Sequence, residues 1–213
     1  MSERLRIALT KGRLQDRSVE LFERFGLDCA PIRDPGRRLV HAIPNYPLDA
    51  VLAKAPDVIT YVEHGVCDLG IVGKDTILEK GGAFYEVLDL GFGVCRFALA
   101  VKEGGDFYGG YETRRVASKY PEVTRAFFET KGMDVDIIKI EGSVELAPIL
   151  GLADAIVDIV ETGATLKANG LQPIETVARV SARLIVNTAS MKLYKGQIED
   201  FIARCEAGLE DRT

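Results

Sequence analysis

Short apolar runs alternate along this chain with segments whose apolar residues recur at helical spacing. Residues 5–9 form the first such run, and residues 14–25 then repeat apolar side chains along one helical face before Gly26. Further apolar runs predict strands at 39–43, 48–53, 86–90, 94–101, 115–119, 135–140, 154–160 and 177–186. Strands that alternate with helices in this way predict an α/β fold with mixed, mostly parallel sheets.

Two features of the pattern predict two lobes. The segment 102–110 is rich in glycine, and we place the boundary between the lobes shortly before it, near residues 88–95. The long apolar run at 177–186 is then expected to be the strand that returns the chain to the first lobe. We therefore predict lobe I over residues 1–90 and 178–213, and lobe II over residues 91–177.

The stretch 154–171 (DAIVDIVETGATLKANGL) carries the clearest chemical signal. A strand buried on both faces is followed by a turn of small and hydroxyl residues, Glu161–Thr165, and by a short helix that ends at Gly170. Such a turn directs backbone N–H groups and hydroxyls at one spot, which favours an anion. Asp158 interrupts the apolar strand and requires a partner.

The same stretch has a simpler interpretation. An ordinary strand–turn–helix, with Thr162 or Thr165 capping the helix, would show the same residues. If the turn does bind a phosphate, the acids Asp158 and Glu161 beside it suit ribose hydroxyls or Mg²⁺. Phosphate next to a diol or metal indicates a phosphorylated sugar.

Cations follow or precede two other predicted strands. Lys11 and Arg13 lie in the loop after the first strand, where α/β folds commonly bind ligands. The turn before residue 39 contains Arg33, Arg37 and Arg38, and three guanidinium groups could hold a pyrophosphate. Each segment could equally be a solvated surface turn.

Composition excludes several classes of function. The 213 residues are 47% hydrophobic and carry a net charge of −5, which disfavours nonspecific nucleic-acid binding. No run reaches the length of a membrane span, and we recognise no export signal. The four cysteines are far apart in sequence, so we expect free thiols and a cytoplasmic location.

Several motifs together resemble ATP phosphoribosyltransferase, the first enzyme of histidine biosynthesis. They are KGRL, YVEHGVCDLGIVGKD, GSVELAP and the DIVETGATLKANGL stretch. The resemblance implies a two-lobed fold like that of type II periplasmic binding proteins. It also implies transfer of phosphoribose from phosphoribosyl pyrophosphate to N1 of the adenine of ATP, with release of pyrophosphate.

The resemblance assigns roles to particular residues. Arg13, Arg37 and Lys11 are implied as catalytic cations, with Arg38 as the alternative to Arg37 because the register is uncertain by one residue. Mg²⁺ is the implied cofactor, with Asp68 and Asp158 as its ligands, although Asp68 could instead only cap a turn. The implied phosphoribosyl pyrophosphate site consists of Asp158, Glu161, Thr162, Gly163, Ala164 and Thr165.

The resemblance also predicts an assembly. Longer members of the family carry a regulatory domain after the last helix, whereas this sequence stops at Thr213. This indicates the short form, which works with a separate regulatory subunit resembling histidyl-tRNA synthetase. We expect a homodimer within a larger hetero-oligomer. The apolar stripe of Tyr194, Ile198, Phe201 and Ile202 on the final helix is expected to pack partly on lobe I and partly at an interface.

Two other functions are compatible with the pattern. A cytosolic small-anion-binding module could use the same fold without catalysis, but it would not need two acids beside its phosphate site. A different phosphoribosyltransferase is less favoured, because such enzymes usually place paired acids directly before the loop. Here Asp158 and Glu161 are separated in sequence.

Overall fold

The computed structural model describes residues 4–210. They divide into two compact units, and the chain passes between them at Gly93/Val94 and again at Val180/Ser181. The limits that we predicted, 90/91 and 177/178, lie close to these crossings. Unit 1 therefore contains both ends of the described chain, and unit 2 is the middle segment.

Strands and helices alternate through both units. The strands in chain order are β1 (Leu5–Thr10), β2 (Val40–Ala42), β3 (Leu48–Ala53), β4 (Leu69–Gly73), β5 (Phe84–Asp89), β6 (Cys95–Lys102), β7 (Arg114–Ser118), β8 (Val135–Lys139), β9 (Ala155–Val160), β10 (Leu171–Val180) and β11 (Ala182–Asn187). The helices are α1 (Arg13–Arg24), α2 (Ala30–Arg33), α3 (Ala55–Glu63), α4 (Lys74–Lys80), α5 (Pro121–Thr130), α6 (Leu146–Ile149), α7 (Ala164–Ala168), α8 (Ser190–Leu193) and α9 (Lys195–Glu210). Within residues 4–210, no helix has the length and apolar character that a bilayer crossing requires.

Unit 1 is a six-stranded mixed sheet between two helical layers. Its strand order is β2-β3-β1-β4-β11-β5, in which β1, β3, β4 and β5 run one way and β2 and β11 run the other. Because successive strand residues face opposite sides, Ile7 and Leu9 pack under α1 and α9, while Ala8 packs against α3.

Unit 2 is a five-stranded sheet in the order β10-β6-β9-β7-β8, with only β6 antiparallel to the others. One face packs its large side chains, such as Phe97 and Val157, against α5. The other face presents small residues, Ala98, Ala100 and Ala117, to the short helices α6 and α7.

The apolar run at 177–186 is two strands, and the prediction of one return strand is wrong. β10 ends at Val180 in the sheet of unit 2, and β11 begins at Ala182 in the sheet of unit 1. Ser181 fixes the break: its hydroxyl donates to Asp89 Oδ1 at 2.7 Å, and its carbonyl accepts from Lys74 N at 2.9 Å. Both strands are apolar, so hydropathy alone shows no interruption.

The stripe on the final helix belongs to the core. Ile198 and Phe201 on α9 are 0% exposed, and the Phe201 ring meets the Phe22 ring of α1 edge-on at 5.6 Å. Tyr194 and Ile202 are partly buried against the same cluster. The packing of the stripe on unit 1 is therefore confirmed for Ile198 and Phe201, while an interface at the partly exposed Tyr194 and Ile202 stays a prediction.

Asp68 connects three segments of unit 1 through hydrogen bonds. It precedes β4, and its two carboxylate oxygens accept hydrogen bonds from Arg6 N and Ser190 Oγ, each at 2.7 Å. The pairing of Ile7 with Leu69 puts Asp68 at the edge of the sheet where β1 begins, whereas Lys11 lies where β1 ends. We therefore assign Asp68 a structural role instead of the predicted metal role.

This assignment predicts a stability effect. Asp68→Asn exchanges one acceptor oxygen for an amide donor and removes the charge, so a hydrogen bond to a charged group is lost. The free energy of unfolding should fall by about 1.5–3 kcal/mol, measured by urea denaturation. Asp34→Asn, an exposed aspartate in the same unit, is the control and should change stability little. Unchanged stability of Asp68→Asn, together with weaker Mg²⁺ binding, would restore the metal role.

Candidate active site

The predicted phosphate loop follows the central strand of unit 2. β9 lies between β6 and β7 and ends at Val160, and the loop then leads directly into α7 at Ala164. Gly163 has a φ of 79°, a left-handed conformation that side chains disfavour. The sharp turn from strand to helix therefore depends on this glycine.

Hydrogen bonds and one apolar anchor hold the loop in shape. Ala164 N donates to Thr162 Oγ1 at 3.3 Å, and Asn169 Nδ2 donates to the Thr165 carbonyl at 2.9 Å. Leu166 is buried against the small-residue face of the sheet. The bond to Thr162 stabilises the turn but does not cap the helix, because Gly163 is the N-cap residue of α7 and α7 has no side-chain capping bond. Thr165 has an exposed side chain, which leaves its hydroxyl accessible to a ligand.

A cavity of about 280 Å³ opens in front of this loop. Its polar walls come from the loop itself and from two acids, Asp158 and Glu145. The lining residues are Glu145, Asp158, Ile159, Val160, Glu161, Thr162, Gly163, Ala164, Thr165 and Leu166. The cavity therefore combines hydroxyls, backbone groups and carboxylates, which suits a phosphorylated sugar.

Glu145 also lines this cavity, although its sequence position did not predict it. It immediately precedes α6 and reaches the cavity from a different segment of unit 2. The available signal was the GSVELAP motif, which by itself indicates only a strand-to-helix turn. Its closeness to Asp158 follows from the β8–α6–β9 crossover, and a linear reading does not show it.

The surroundings of Asp158 disfavour the charged form of its carboxyl group. Burial raises the pKa of its carboxyl group above the ordinary value, and the nearby charge of Glu145 raises it further. A hydrogen bond from Ile159 N to Asp158 Oδ1 at 2.8 Å and the charge of Lys119 oppose this shift in pKa. A metal ion or sugar hydroxyls bound here would relieve the unfavourable burial.

The predicted cations gather at one edge of the sheet in unit 1. Lys11 follows β1, and Arg13 is the first residue of α1; both are exposed. Val51 of β3 pairs with Ala8 near the end of β1 and with Val40 at the start of β2. Because β2 runs antiparallel to β1 and β3, it begins at the edge of the sheet where β1 ends. The turn before β2 therefore brings its arginines to the same edge as Lys11.

The arginines of this turn are not equivalent. Arg33 Nε and Nη2 donate to the two carboxylate oxygens of Glu23 at 2.7 and 2.6 Å, which also lowers the pKa of Glu23. Arg37 and Arg38 are both exposed. Arg33 is thus engaged in the fold, and the choice between Arg37 and Arg38 rests on the resemblance.

The two groups of predicted residues lie in different units. The phosphate loop and Asp158 belong to unit 2, and Lys11, Arg13 and Arg37 belong to unit 1. Between residues 4 and 210, no group of three or more His, Cys, Asp or Glu side chains is arranged to hold a metal ion. A cation with many protein ligands is therefore a poor fit.

Comparison with known proteins gives consistent matches. The ATP phosphoribosyltransferase family model matches residues 54–207. The chain is 56% identical over 208 residues to the ATP phosphoribosyltransferase of Clostridium kluyveri, covering 98% of this chain and 95% of that protein. It is 57% identical over 206 residues to the Clostridium acetobutylicum enzyme of the same name, covering 97% and 96%.

Solved structures agree on the fold. A chain of the ATP phosphoribosyl transferase (HisG:HisZ) complex from Thermotoga maritima matches with a TM-score of 0.81 and 31% identity, over 97% of this chain and 99% of that one. The periplasmic aliphatic sulphonate binding protein SsuA from Escherichia coli matches with a TM-score of 0.62 at 14% identity, over 98% and 73%. The latter likeness concerns the fold alone, and it confirms the predicted periplasmic-binding-protein architecture. On the family model and these identities, the chain belongs to the ATP phosphoribosyltransferase family, which catalyses the first step of histidine biosynthesis.

Proposed function

We propose that the phosphate loop of unit 2 is the phosphoribosyl pyrophosphate site of this ATP phosphoribosyltransferase. The observation that carries the proposal is the cavity in which the Glu161–Thr165 loop and the acids Asp158 and Glu145 converge. Backbone N–H groups and the Thr165 hydroxyl would bind the 5′-phosphate. The two acids would bind the ribose hydroxyls, whose donors match carboxylate acceptors.

The reaction places few demands on acid–base groups. The lone pair of adenine N1 forms a bond to C1 of the ribose, and the bond from C1 to the pyrophosphate oxygen breaks with its electron pair on the oxygen. Adenine N1 carries no proton to remove, so no general base is needed. The barrier lies in the charge of the leaving pyrophosphate and in the cationic ribose carbon.

Lys11, Arg13 and Arg37 are proposed to stabilise the leaving pyrophosphate. They lie at one edge of the sheet in unit 1, so three cations can act on one polyanion. Arginine suits this task because its planar guanidinium group donates two parallel hydrogen bonds to phosphate oxygens.

Mg²⁺ is proposed as the cofactor. The described residues offer one or two carboxylates beside the phosphate loop instead of a full set of metal ligands. This fits Mg²⁺, which keeps several waters and takes most other ligands from substrate phosphates. Asp158 would be its protein ligand, and the ion would supply charge stabilisation for the pyrophosphate.

A small-anion-binding module remains the rival from another class. The two acids on the cavity wall, Asp158 and Glu145, argue against it, since carboxylates beside the loop would repel a simple anion. We also propose a cytoplasmic location, consistent with free thiols at Cys29, Cys67, Cys95 and Cys205.

We further propose that the chain forms a homodimer and joins a regulatory subunit resembling histidyl-tRNA synthetase. The Thermotoga maritima chain was solved in a complex of two different proteins. Here, Leu146, Ile149, Leu150 and Leu152 are 52%, 43%, 77% and 43% exposed, while the smaller Ala147 and Pro148 face inward. A segment with its large apolar side chains outward is typical of a protein interface.

We assign this apolar ridge, Leu146, Ile149, Leu150 and Leu152, to the regulatory subunit. The ridge directly follows Glu145, which lines the substrate cavity, so a partner bound there could alter the site. Arg115 Nη2 donates to the Gly151 carbonyl at 3.3 Å, and Arg115 Nε lies 3.9 Å from Asp154 Oδ2, so the cation beside the ridge already has an acidic partner. The partner surface should therefore be mainly apolar.

The loop assignment predicts a loss of binding. Thr165→Val keeps the shape of the side chain but removes the hydroxyl bond to a charged phosphate. The dissociation constant for phosphoribosyl pyrophosphate, measured by calorimetry, should rise roughly 10- to 100-fold. Thr113→Val, an exposed threonine in the same unit, is the control. If Thr165→Val and Thr113→Val bind phosphoribosyl pyrophosphate with equal affinity, the loop has a purely structural role. Gly163→Val is a poorer test because its left-handed backbone would be strained.

The cation assignment predicts a loss of turnover. Arg13→Ala and Arg37→Ala should each lower kcat by on the order of a hundredfold, because one preorganised charge donor is removed. Arg38→Ala is the matched control from the same turn, and steady-state kinetics on all three variants gives the answer. Wild-type turnover in Arg37→Ala with a defect in Arg38→Ala would exchange the roles of the two residues.

The assembly assignment predicts where histidine acts. Histidine should inhibit only when the regulatory subunit is present, and Leu150→Glu should abolish both complex formation and this inhibition. Basal activity should be unchanged, because Leu150 is not among the cavity residues. Assays with and without histidine, and light scattering with and without the subunit, provide both measurements.

The control for the assembly is Leu193→Glu, a similarly exposed leucine at 73% in unit 1. It should retain both the complex and the inhibition. Inhibition of the isolated chain by histidine would contradict the separate regulatory subunit. A strictly monomeric mass of the isolated chain in light scattering would contradict the homodimer.

A further inference from the structure

A second cavity, of about 280 Å³, lies in unit 2 at the opposite end of the sheet from the phosphate loop. β6 ends here at Lys102, and β7 begins here at Arg114. β9 also begins here, directly after Asp154, whereas the phosphate loop follows the other end of β9. Roughly 13 Å of extended chain separates Asp154 from Asp158. Among the described residues, the two cavities share no lining residue.

The walls of this second cavity combine apolar surface with an excess of positive charge. The apolar surface comes from Val101, Phe107, Pro148 and Ala153. The charged lining residues are three cations and two acids, namely Lys102, Arg114, Arg115, Asp106 and Asp154. This local excess of cations contrasts with the net charge of −5 of the whole chain. Such a cavity favours an anion that also has an apolar part.

One of the three cations already has an acidic partner. Arg115 Nε lies 3.9 Å from Asp154 Oδ2, and the same oxygen accepts a hydrogen bond from Arg115 N at 2.8 Å. This pair leaves two cations against Asp106. The Asp106 carboxylate is held by its own turn, since Oδ1 accepts a hydrogen bond from Gly109 N at 3.0 Å. The cavity therefore keeps one positive charge in excess.

The guanidinium group of Arg114 is held by backbone carbonyls instead of a carboxylate. Nε donates to the Phe107 carbonyl at 3.0 Å, and Nη2 donates to the carbonyls of Gly109 and, at 3.5 Å, of Asp106. Within residues 4–210, Nη1 of Arg114 has no hydrogen-bond acceptor, and neither Arg114 nor Lys102 forms an ion pair. Neutral carbonyls orient the guanidinium group but do not cancel its charge. A cation fixed in this way is suited to bind a carboxylate.

We propose that this cavity binds a small organic acid, whose carboxylate contacts Arg114 and Lys102 and whose apolar part lies against Phe107 and Pro148. One excess positive charge matches one carboxylate, whereas a phosphate dianion would bring more charge than the cavity compensates. Pockets for drug-sized ligands have volumes of about 300–1,000 Å³, so a cavity of 280 Å³ suits a smaller molecule. Because the two cavities are separate, the acid binds alongside phosphoribosyl pyrophosphate without displacing it.

Binding is measured by the backbone amide resonances of the whole chain in an NMR titration. The probe is isovalerate, a carboxylate on a small branched apolar group, and isovaleramide is its neutral counterpart. Isovalerate should give saturable shifts at Lys102, Gly105, Arg115 and Gly151, and isovaleramide should give none. Arg114→Gln should raise the dissociation constant for isovalerate roughly 10-fold or more, because a hydrogen bond between charged groups is lost.

A second variant keeps the test decisive if the loss of Arg114 disturbs the turn at 106–109. The Lys102 side chain is exposed and forms no hydrogen bond or ion pair in the part of the chain that the structure describes. Lys102→Gln should therefore leave the spectrum of the unliganded protein nearly unchanged and raise the dissociation constant about two- to fivefold. Arg125→Gln, which removes an exposed cation from α5 of the same unit, is the control and should bind like wild type.

Three results would overturn the proposal. Wild-type affinity in both Arg114→Gln and Lys102→Gln would show that these cations do not bind the carboxylate. Equal shifts with isovaleramide would show that the cavity recognises only apolar groups. Shifts that do not saturate, or that are confined to the Glu161–Thr165 loop, would show that isovalerate has no site in this cavity. Loss of the enzyme activity itself would contradict the proposed function and leave this titration unaffected.

Discussion

The chemistry of this protein depends on where its central strands end. β1 in unit 1 and β9 in unit 2 are covered by neighbours on both sides, so their backbone groups are satisfied and only the loops after them are open to a ligand. Lys11 and Arg13 follow β1, and the Glu161–Thr165 loop follows β9. Each unit therefore contributes its proposed functional residues from the same kind of position, and the strands themselves need only be apolar.

A second constraint is that Asp158, near the end of β9, is held beside another acid with little positive charge around it. Burial raises the pKa of Asp158, and the nearby charge of Glu145 raises it further. In a protein of this composition such acids are unfavourable unless a ligand supplies the missing donors. Sugar hydroxyls and Mg²⁺ are groups that can do so.

Local features were predictable from the sequence, and long-range pairing was not. The phosphate loop is contiguous, so its strand, its glycine and its hydroxyls could be recognised together. The role of Asp68 depended on the register of β4 against β1. That register places Asp68 at the edge of the sheet where β1 begins, opposite to the edge where Lys11 lies. Glu145 reaches Asp158 only through the crossover between strands. The face of α9 that contains Phe201 looked suited to an interface because an amphipathic pattern does not reveal what covers it.

We propose above all that the cavity at the Glu161–Thr165 loop performs phosphoribosyl transfer and does not merely bind an anion. The most direct measurement mixes the purified chain, with and without the regulatory subunit, with ATP, Mg²⁺ and phosphoribosyl pyrophosphate. Pyrophosphate and N1-ribosylated ATP are then both quantified. We expect the two products to appear in equal amounts and only when both substrates are present. Binding of phosphoribosyl pyrophosphate without formation of either product, even with the regulatory subunit added, would contradict it.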